Sequence, residues 1–368
     1  MTAYAHISGW GMAVPETILT NQELEKIVET NDEWIVSHSG IRERHIAQDW
    51  QTTSSLAAEA AIKALEMASV HPSEVDLIIV ATSSPDQIFP ATACIVQDLI
   101  GAKQAGAYDL SAACTGFVYA LDMASNAIRS GSINTALVIG AETLSRFINW
   151  QDRNTCILFG DGAGAFVLES SPQEGGFLAS VLRSDGSGAD LLTLPAGGSK
   201  QPASQLTIKN GQHYIQMKGR EVFRFATRVM AQSTLEVIEK ANLSLEDIQL
   251  IVPHQANQRI IETAAKNLNI SPEKIMLNID RYGNTSTASI PIAVCEAVSN
   301  GKINPGDKIV FTAFGAGLTW GAAVVQWSGP LPAKRKVYPT RYRWIARLRS
   351  VSLRWWRKIE GWIWGKQA

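Results

Sequence analysis

The sequence resembles itself at a displacement of about 170 residues, and this repeat restricts the fold more than any other feature. At a shift of 173, Glu74-Val-Asp-Leu-Ile-Ile79 falls on Asp247-Ile-Gln-Leu-Ile-Val252, and Ala68-Ser-Val70 on Ala241-Asn-Leu243. At a shift of 170, Ser130-Gly-Ser-Ile-Asn134 falls on Asn300-Gly-Lys-Ile-Asn304. Each copy reads as helix, strand, loop, helix, strand. Leu77–Val80, Ala136–Ile139, Leu250–Val252 and Lys308–Phe311 are short β-branched runs, as in buried strands. Ser54–Ala68, Gly116–Ser130, Glu221–Asn242 and Ala288–Ser299 read as helices. The alternation predicts an α/β fold with mostly parallel, doubly covered sheets, in two related halves at 1–172 and 173–330.

The repeat also predicts where side chains meet. At the 170 shift Cys114 falls on Asn284, each just before a helical segment. Two halves packed about a pseudo-twofold axis would set these residues face to face. The loop carrying His254 would enter between them. Cys114 sits in Asp109-Leu-Ser-Ala-Ala-Cys-Thr-Gly-Phe117, a strand, small residues and then a helix. A helix N-terminus favours a thiolate. The same local sequence also fits a small buried side chain. His254 follows a strand in Val252-Pro-His-Gln-Ala-Asn-Gln-Arg259, where polar groups crowd a strand's carboxyl end, though a satisfied structural histidine fits equally. Asn284 lies in Arg281-Tyr-Gly-Asn-Thr-Ser-Thr-Ala-Ser289, which also fits a helix N-cap.

Other patterns are excluded. Phe159-Gly-Asp-Gly-Ala-Gly-Ala165 lacks the spacing and acidic residue of a dinucleotide site, so it reads as a place where backbones approach closely. Phe314-Gly-Ala-Gly-Leu-Thr-Trp-Gly321 fits either an oxyanion-binding turn or tight packing. No metal-ligand spacing or phosphate loop occurs, so no metal and no nucleotide-triphosphate site is expected. The net charge of -1 points to no nucleic-acid partner. Cys94, Cys114, Cys156 and Cys295 form no disulfide pattern, and no secretory signal or apolar span is read. The expected location is the cytoplasm.

Ala112-Ala-Cys-Thr-Gly-Phe117, Val252-Pro-His-Gln-Ala-Asn257 and Gly283-Asn-Thr-Ser286 together resemble the motifs of β-ketoacyl-[acyl-carrier-protein] synthase III. Asp32-Glu-Trp-Ile-Val36, Gly40-Ile-Arg-Glu-Arg44, Phe159–Gly164 and Phe314–Gly317 extend the resemblance over residues 1–330. It implies a thiolase-like five-layered α-β-α-β-α sandwich built from two related halves and assembled as a homodimer. It implies no cofactor. An acyl-CoA primer would acylate Cys114. Malonyl-[acyl-carrier protein] would then lose CO2 and attack the acyl-enzyme. His254 and Asn284 would donate to the enolate oxygen, each donor typically lowering such a barrier by about 3 kcal/mol. The backbone N–H groups of Cys114 and Gly317 would form the oxyanion hole.

Trp34, Arg153, Gly219, Phe223, Ala256, Asn257 and Arg259 match family positions along the CoA and pantetheine tunnel, with Trp34 and Arg153 flanking the adenine. His38 departs from an arginine found in some members. Phe89 matches the position that limits primer size across the dimer. Arg224, Arg259 and Lys266 would meet the acidic carrier protein, although a solvated basic face explains them equally. Asn284, where elongating synthases carry a second histidine, sets the chain apart from those relatives. The absence of a second cysteine near Gly317 separates it from thiolases. The absence of a glutamate after Leu77–Val80 separates it from hydroxymethylglutaryl-CoA synthase. Condensing enzymes making a polyketide starter, an alkylquinolone or a long-chain ketone remain rival readings, as does a silent membrane-tethered scaffold.

Residues 331–368 lie outside the resemblance. They hold 11 of the 33 lysines and arginines but only one of the 34 acidic residues, Glu360. Trp344, Leu348, Val351, Trp355, Ile359 and Trp362 recur at helical spacing, with arginines between them. A basic, Trp-rich amphipathic helix over residues 340–364 reads as an interfacial anchor on the inner membrane surface. A helix packed on its own enzyme, or a segment docking a partner, fits the same pattern.

Overall fold

The computed structural model describes residues 3–331 and 337–363. Trp364, the last residue of the amphipathic helix expected over residues 340–364, lies outside them. The first sheet contains β1 (Tyr4–Ala13), β2 (Leu77–Ala81), β3 (Gly106–Leu110), β4 (Thr135–Glu142) and β5 (Gly162–Ser171), in the order β1-β5-β4-β2-β3. The second contains β6 (Gly176–Ser184), β7 (Leu250–Pro253), β8 (Lys308–Gly315) and β9 (Thr319–Gln326), in the order β7-β8-β9-β6.

Strand periodicity builds the layers. Ile79, Val138 and Phe166 point into one cluster, while their neighbours Ile78, Leu137 and Val167 point into another. The second sheet divides in the same way: Val252 and Phe311 face inward, and Ile251 and Val310 face outward. The cluster between the sheets is filled by α1 (Gly116–Arg129), through Phe117 and Leu121, and by α2 (Ser289–Ser299), through Ile290 and Val294. The helix Thr53–Ala68 covers the first outer face, and Gly219–Lys240 covers the second. The result is the expected five-layered sandwich. Each fully buried Ile, Val or Phe gains about 2 kcal/mol on transfer from water. A one-residue slip would turn a whole row to the wrong side, so the register is strongly fixed.

Two expectations change. The sheets are mixed. β2 runs parallel to β3 and β4, but β5 is antiparallel to both β4 and β1. In the second sheet only β7 and β8 are parallel. The cause is plain there: three residues, 316–318, join β8 to β9, and so short a connection permits only an antiparallel return.

The repeat register also differs at the site. A 3₁₀ turn, Ala113–Thr115, leads into α1, and another, Ser286–Ala288, leads into α2. Ala113 (φ 46°) and Ser286 (φ 49°) share the same rare left-handed backbone, 173 residues apart. The counterpart of Cys114 is therefore Thr287, and Asn284 lies three residues earlier. The 170 register arises because α2 has 11 residues where α1 has 14. Residues 305–307 then restore 173 before β8.

The tail forms helix α3 (Pro339–Ile363). It packs on the body, but not by the face that sequence periodicity marks. Ala346 and Tyr342 lie against Gly101, where a Cβ would come within 2.8 Å of Ala346 Cβ. Tyr342 meets His71 edge-on at 4.2 Å, and Ser350 Oγ donates to Asp98 Oδ2 at 2.5 Å. At 3.6 residues per turn this stripe is opposite Trp344, Leu348, Trp355, Ile359 and Trp362, all of them exposed.

Candidate active site

Cys114 stands in the turn two residues ahead of α1. Gly315, at the end of β8, packs on its backbone, and a Cβ there would come within 2.7 Å of Cys114 N. Burial pushes the Cys114 thiol up to about 12; a hydrogen bond from Ser286 Oγ (3.3 Å) opposes the rise, and the Glu142 carboxylate adds to it. The resting side chain is thus a thiol. Loss of hydration outweighs the helix terminus that the sequence reading relied on.

His254 follows β7, its N–H donating to Thr312 O at 2.8 Å. The ring packs edge-on to Phe314, with centroids 5.4 Å apart. Burial holds the imidazole down to about 3, so it is neutral at ordinary pH. Nδ1 lies 2.7 Å from Ser289 Oγ, which also lies 2.8 Å from Ser286 O. The hydroxyl has one proton. Given to Nδ1, it leaves an N–H at Nε2; given to Ser286 O, it leaves Nε2 as an acceptor. Nε2 has no partner among the described residues.

Asn284 is held by the glycine run that was set aside as a nucleotide site. Its N–H donates to Leu158 O (2.8 Å), and Gly160 N–H donates to its carbonyl (3.1 Å). A Cβ on Gly160 would meet Tyr282 O at 2.3 Å, so close backbone approach is that run's purpose. The Asn284 side chain is not a helix cap. Its Oδ1 accepts from Ser286 N–H at 2.8 Å, which fixes the amide and leaves Nδ2 to donate elsewhere.

Cys114, His254 and Asn284 line one cavity of about 1090 Å³. Trp34, His38, Gly219, Phe223, Arg224, Ala256, Asn257 and Arg259 line its length. One nucleophile and two directed polar groups at the end of a long pocket suit acyl transfer from an extended thioester.

Comparison with known proteins identifies the family. A family model for the C-terminal part of 3-oxoacyl-[acyl-carrier-protein] synthase III matches residues 238–327, and a second model for the same synthase matches residues 108–186. The chain is 53% identical over 322 residues to the β-ketoacyl-[acyl-carrier-protein] synthase III of Desulfitobacterium hafniense, covering 88% of this chain and 97% of that one. The chain belongs to the β-ketoacyl-[acyl-carrier-protein] synthase III family. It is a condensing acyltransferase of type II fatty-acid initiation. The crystal structure of the Aquifex aeolicus synthase III superposes with a TM-score of 0.81 at 48% identity, covering 88% of this chain and all of that one. The priming β-ketosynthase of a polyketide pathway has a TM-score of 0.83 at 32% identity, covering 90% and 98%.

Within this synthase III framework some expected residues stand apart. Arg153 does not line the cavity; its guanidinium rests 5.0 Å above the Trp34 ring, which also stacks on His38. An aromatic ring held between Trp34 and Arg153 requires Arg153 to swing outward. Asn257 caps the helix Gln258–Leu268 and donates to His38 O at 2.8 Å. Gly317 lies outside the cavity lining, whereas Gly315 is within it. Lys266 is exposed on the same helix as Arg259. Phe89 is 83% exposed and far from burial in its own chain.

Sequence reasoning missed Glu142. This fully buried carboxylate, at the end of β4, accepts from Ser83 N–H, Ser84 Oγ and Thr287 Oγ1. Burial raises its pKa against those donors. It ties the two halves together beneath Cys114, and only its place at the end of an apolar strand hinted at that role.

Proposed function

We propose that the enzyme transfers an acyl group from acyl-CoA to Cys114 and condenses it with malonyl-[acyl-carrier protein], releasing CO2 and giving 3-oxoacyl-[acyl-carrier protein]. The convergence of Cys114, His254 and Asn284 on one long cavity carries this reading. The Cys114 sulfur attacks the primer carbonyl and forms a thioester as the bond to CoA breaks; the thiol proton given up by Cys114 is balanced by the one that CoA carries away as its free thiol, and one hard step becomes two easier ones. The N–H groups of Cys114 and of the 315–317 turn, Gly317 included, hold the tetrahedral oxyanion. Asn284 Nδ2, with His254 Nε2–H when Ser289 donates to Nδ1, stabilises the enolate left by CO2. No cofactor enters this chemistry.

Trp34, Arg153, Gly219, Phe223, Ala256, Asn257 and Arg259 form the pantetheine path. Arg224, Arg259 and Lys266 receive the acidic carrier protein. The exposed Phe89 is buried by the second subunit of a homodimer, where it limits primer length. The test is direct. After incubation with acyl-CoAs of increasing length, the peptide containing Cys114 gains one acyl group, and malonyl-[acyl-carrier protein] then discharges it with CO2 release. Absence of label on Cys114 with every primer would sink the reading.

The tail supports a second element: peripheral contact of a cytoplasmic enzyme with the inner membrane surface through residues 340–364. The observation behind it is the outward Trp344, Leu348, Trp355, Ile359 and Trp362 stripe, flanked by Arg347, Arg354 and Lys358. No helix among the described residues is long and apolar enough to cross a membrane. The full chain is expected to float with vesicles containing anionic lipid and to stay down with neutral ones. A chain ending at Pro330 that floats equally well would refute the contact.

A further inference from the structure

Ser286 is linked to every member of the catalytic set. Its N–H donates to Asn284 Oδ1 (2.8 Å), its hydroxyl donates to Cys114 Sγ (3.3 Å), and its carbonyl lies 2.8 Å from Ser289 Oγ, the group that reaches His254 Nδ1. It is 2% exposed and holds a left-handed φ of 49° that costs a non-glycine residue energy. Nothing in local folding requires a serine there; the opposite turn has Ala113 in the same conformation.

We infer that Ser286 is a further catalytic residue, its hydroxyl donating to the Cys114 sulfur and stabilising the thiolate that attacks the primer. The inference rests on the acyl-transfer reading above. A buried thiolate without a donor is costly, and a hydrogen bond to a charged group is among the strongest single contacts available. The titratable groups around the sulfur are Glu142, on β4, and His254, after β7. Glu142 opposes the thiolate and also competes for the Ser286 proton, while the Oγ to Sγ contact directs that proton to sulfur. His254 is neutral and adds no charge.

Ser286→Ala removes the hydroxyl and keeps the backbone N–H and carbonyl that orient Asn284 and Ser289. Ser286→Gly does the same and relieves the left-handed strain. Both are followed by mass spectrometry of the Cys114 peptide, as the rate of iodoacetamide alkylation at one fixed, mildly alkaline pH, which reports the thiolate fraction, and as the rate of acylation by acyl-CoA. In both variants alkylation is expected to slow by about 10-fold or more, and acylation at neutral pH to fall by about 10- to 100-fold. An unchanged alkylation rate with normal acylation in either folded variant overturns the inference. A parent enzyme that never acylates Cys114 overturns the acyl-transfer reading instead, so the two failures are separable.

Discussion

Replacing Cys114 by alanine abolishes 3-oxoacyl product, with a loss of at least about 10⁴-fold, because no other group among the described residues can carry the acyl chain at that point. The other three cysteines offer no substitute. Cys156 and Cys295 are buried away from the cavity, and exposed Cys94 lies outside its lining. The Cys114→Ala variant should still release CO2 from malonyl-[acyl-carrier protein], since the groups that hold the enolate do not include the sulfur. Trapping labelled CO2 while assaying product separates the two activities. Condensation persisting in the variant would mean that the nucleophile has been misassigned.

The second large effect has the opposite pattern. Asn284→Ala and His254→Ala are each expected to lower CO2 release by about 10²- to 10³-fold, the usual consequence of removing one oxyanion donor. Both should leave Cys114 able to accept an acyl group from CoA. The double variant should lose less than the product of the single losses, because the two donors act on one oxygen. A pH signature accompanies this. His254 stays neutral down to about 3, so the rate should show no acid limb near 6.5 from this group. Stability should carry the cost instead. The unfolded imidazole gains a proton near 6.5 and the folded one does not until about 3, so stability falls as pH drops through that window, by up to about 1.4 kcal/mol per unit. A limb near 6.5 that disappears in His254→Ala would show the imidazole titrating as an exposed one.

Much of this site was legible because the repeat is written in buried strands, whose β-branched runs are dictated by packing on both faces. Leu77–Ala81 and Leu250–Pro253 were visible for that reason, and with them the loops that follow. The exact pairing across the halves was not. Three residues lost from α2 and three added before β8 cancel, so the sequence shows 170 where the turns obey 173. The thiol was misread through a local rule: a helix terminus favours the anion, but enclosure by Gly315, Ser286 and Glu142 removes more hydration than the terminus repays. In the tail, periodicity finds the outward apolar stripe but not the contact with the body, which is made by Tyr342, Ala346 and Ser350, because only small or flat side chains fit against Gly101.

The two halves differ most in one connection. Three residues link β8 to β9, whereas residues 143–161 link the equivalent β4 to β5. That longer segment supplies Asp152, Asn154 and Leu158 to the cavity wall, and its end pairs with Asn284. A tight hairpin there, like the one between β8 and β9, would supply neither. The nucleophile-bearing half thus builds the seat for its sister's asparagine. Neither half, expressed alone or paired with a copy of itself, would reassemble a working centre.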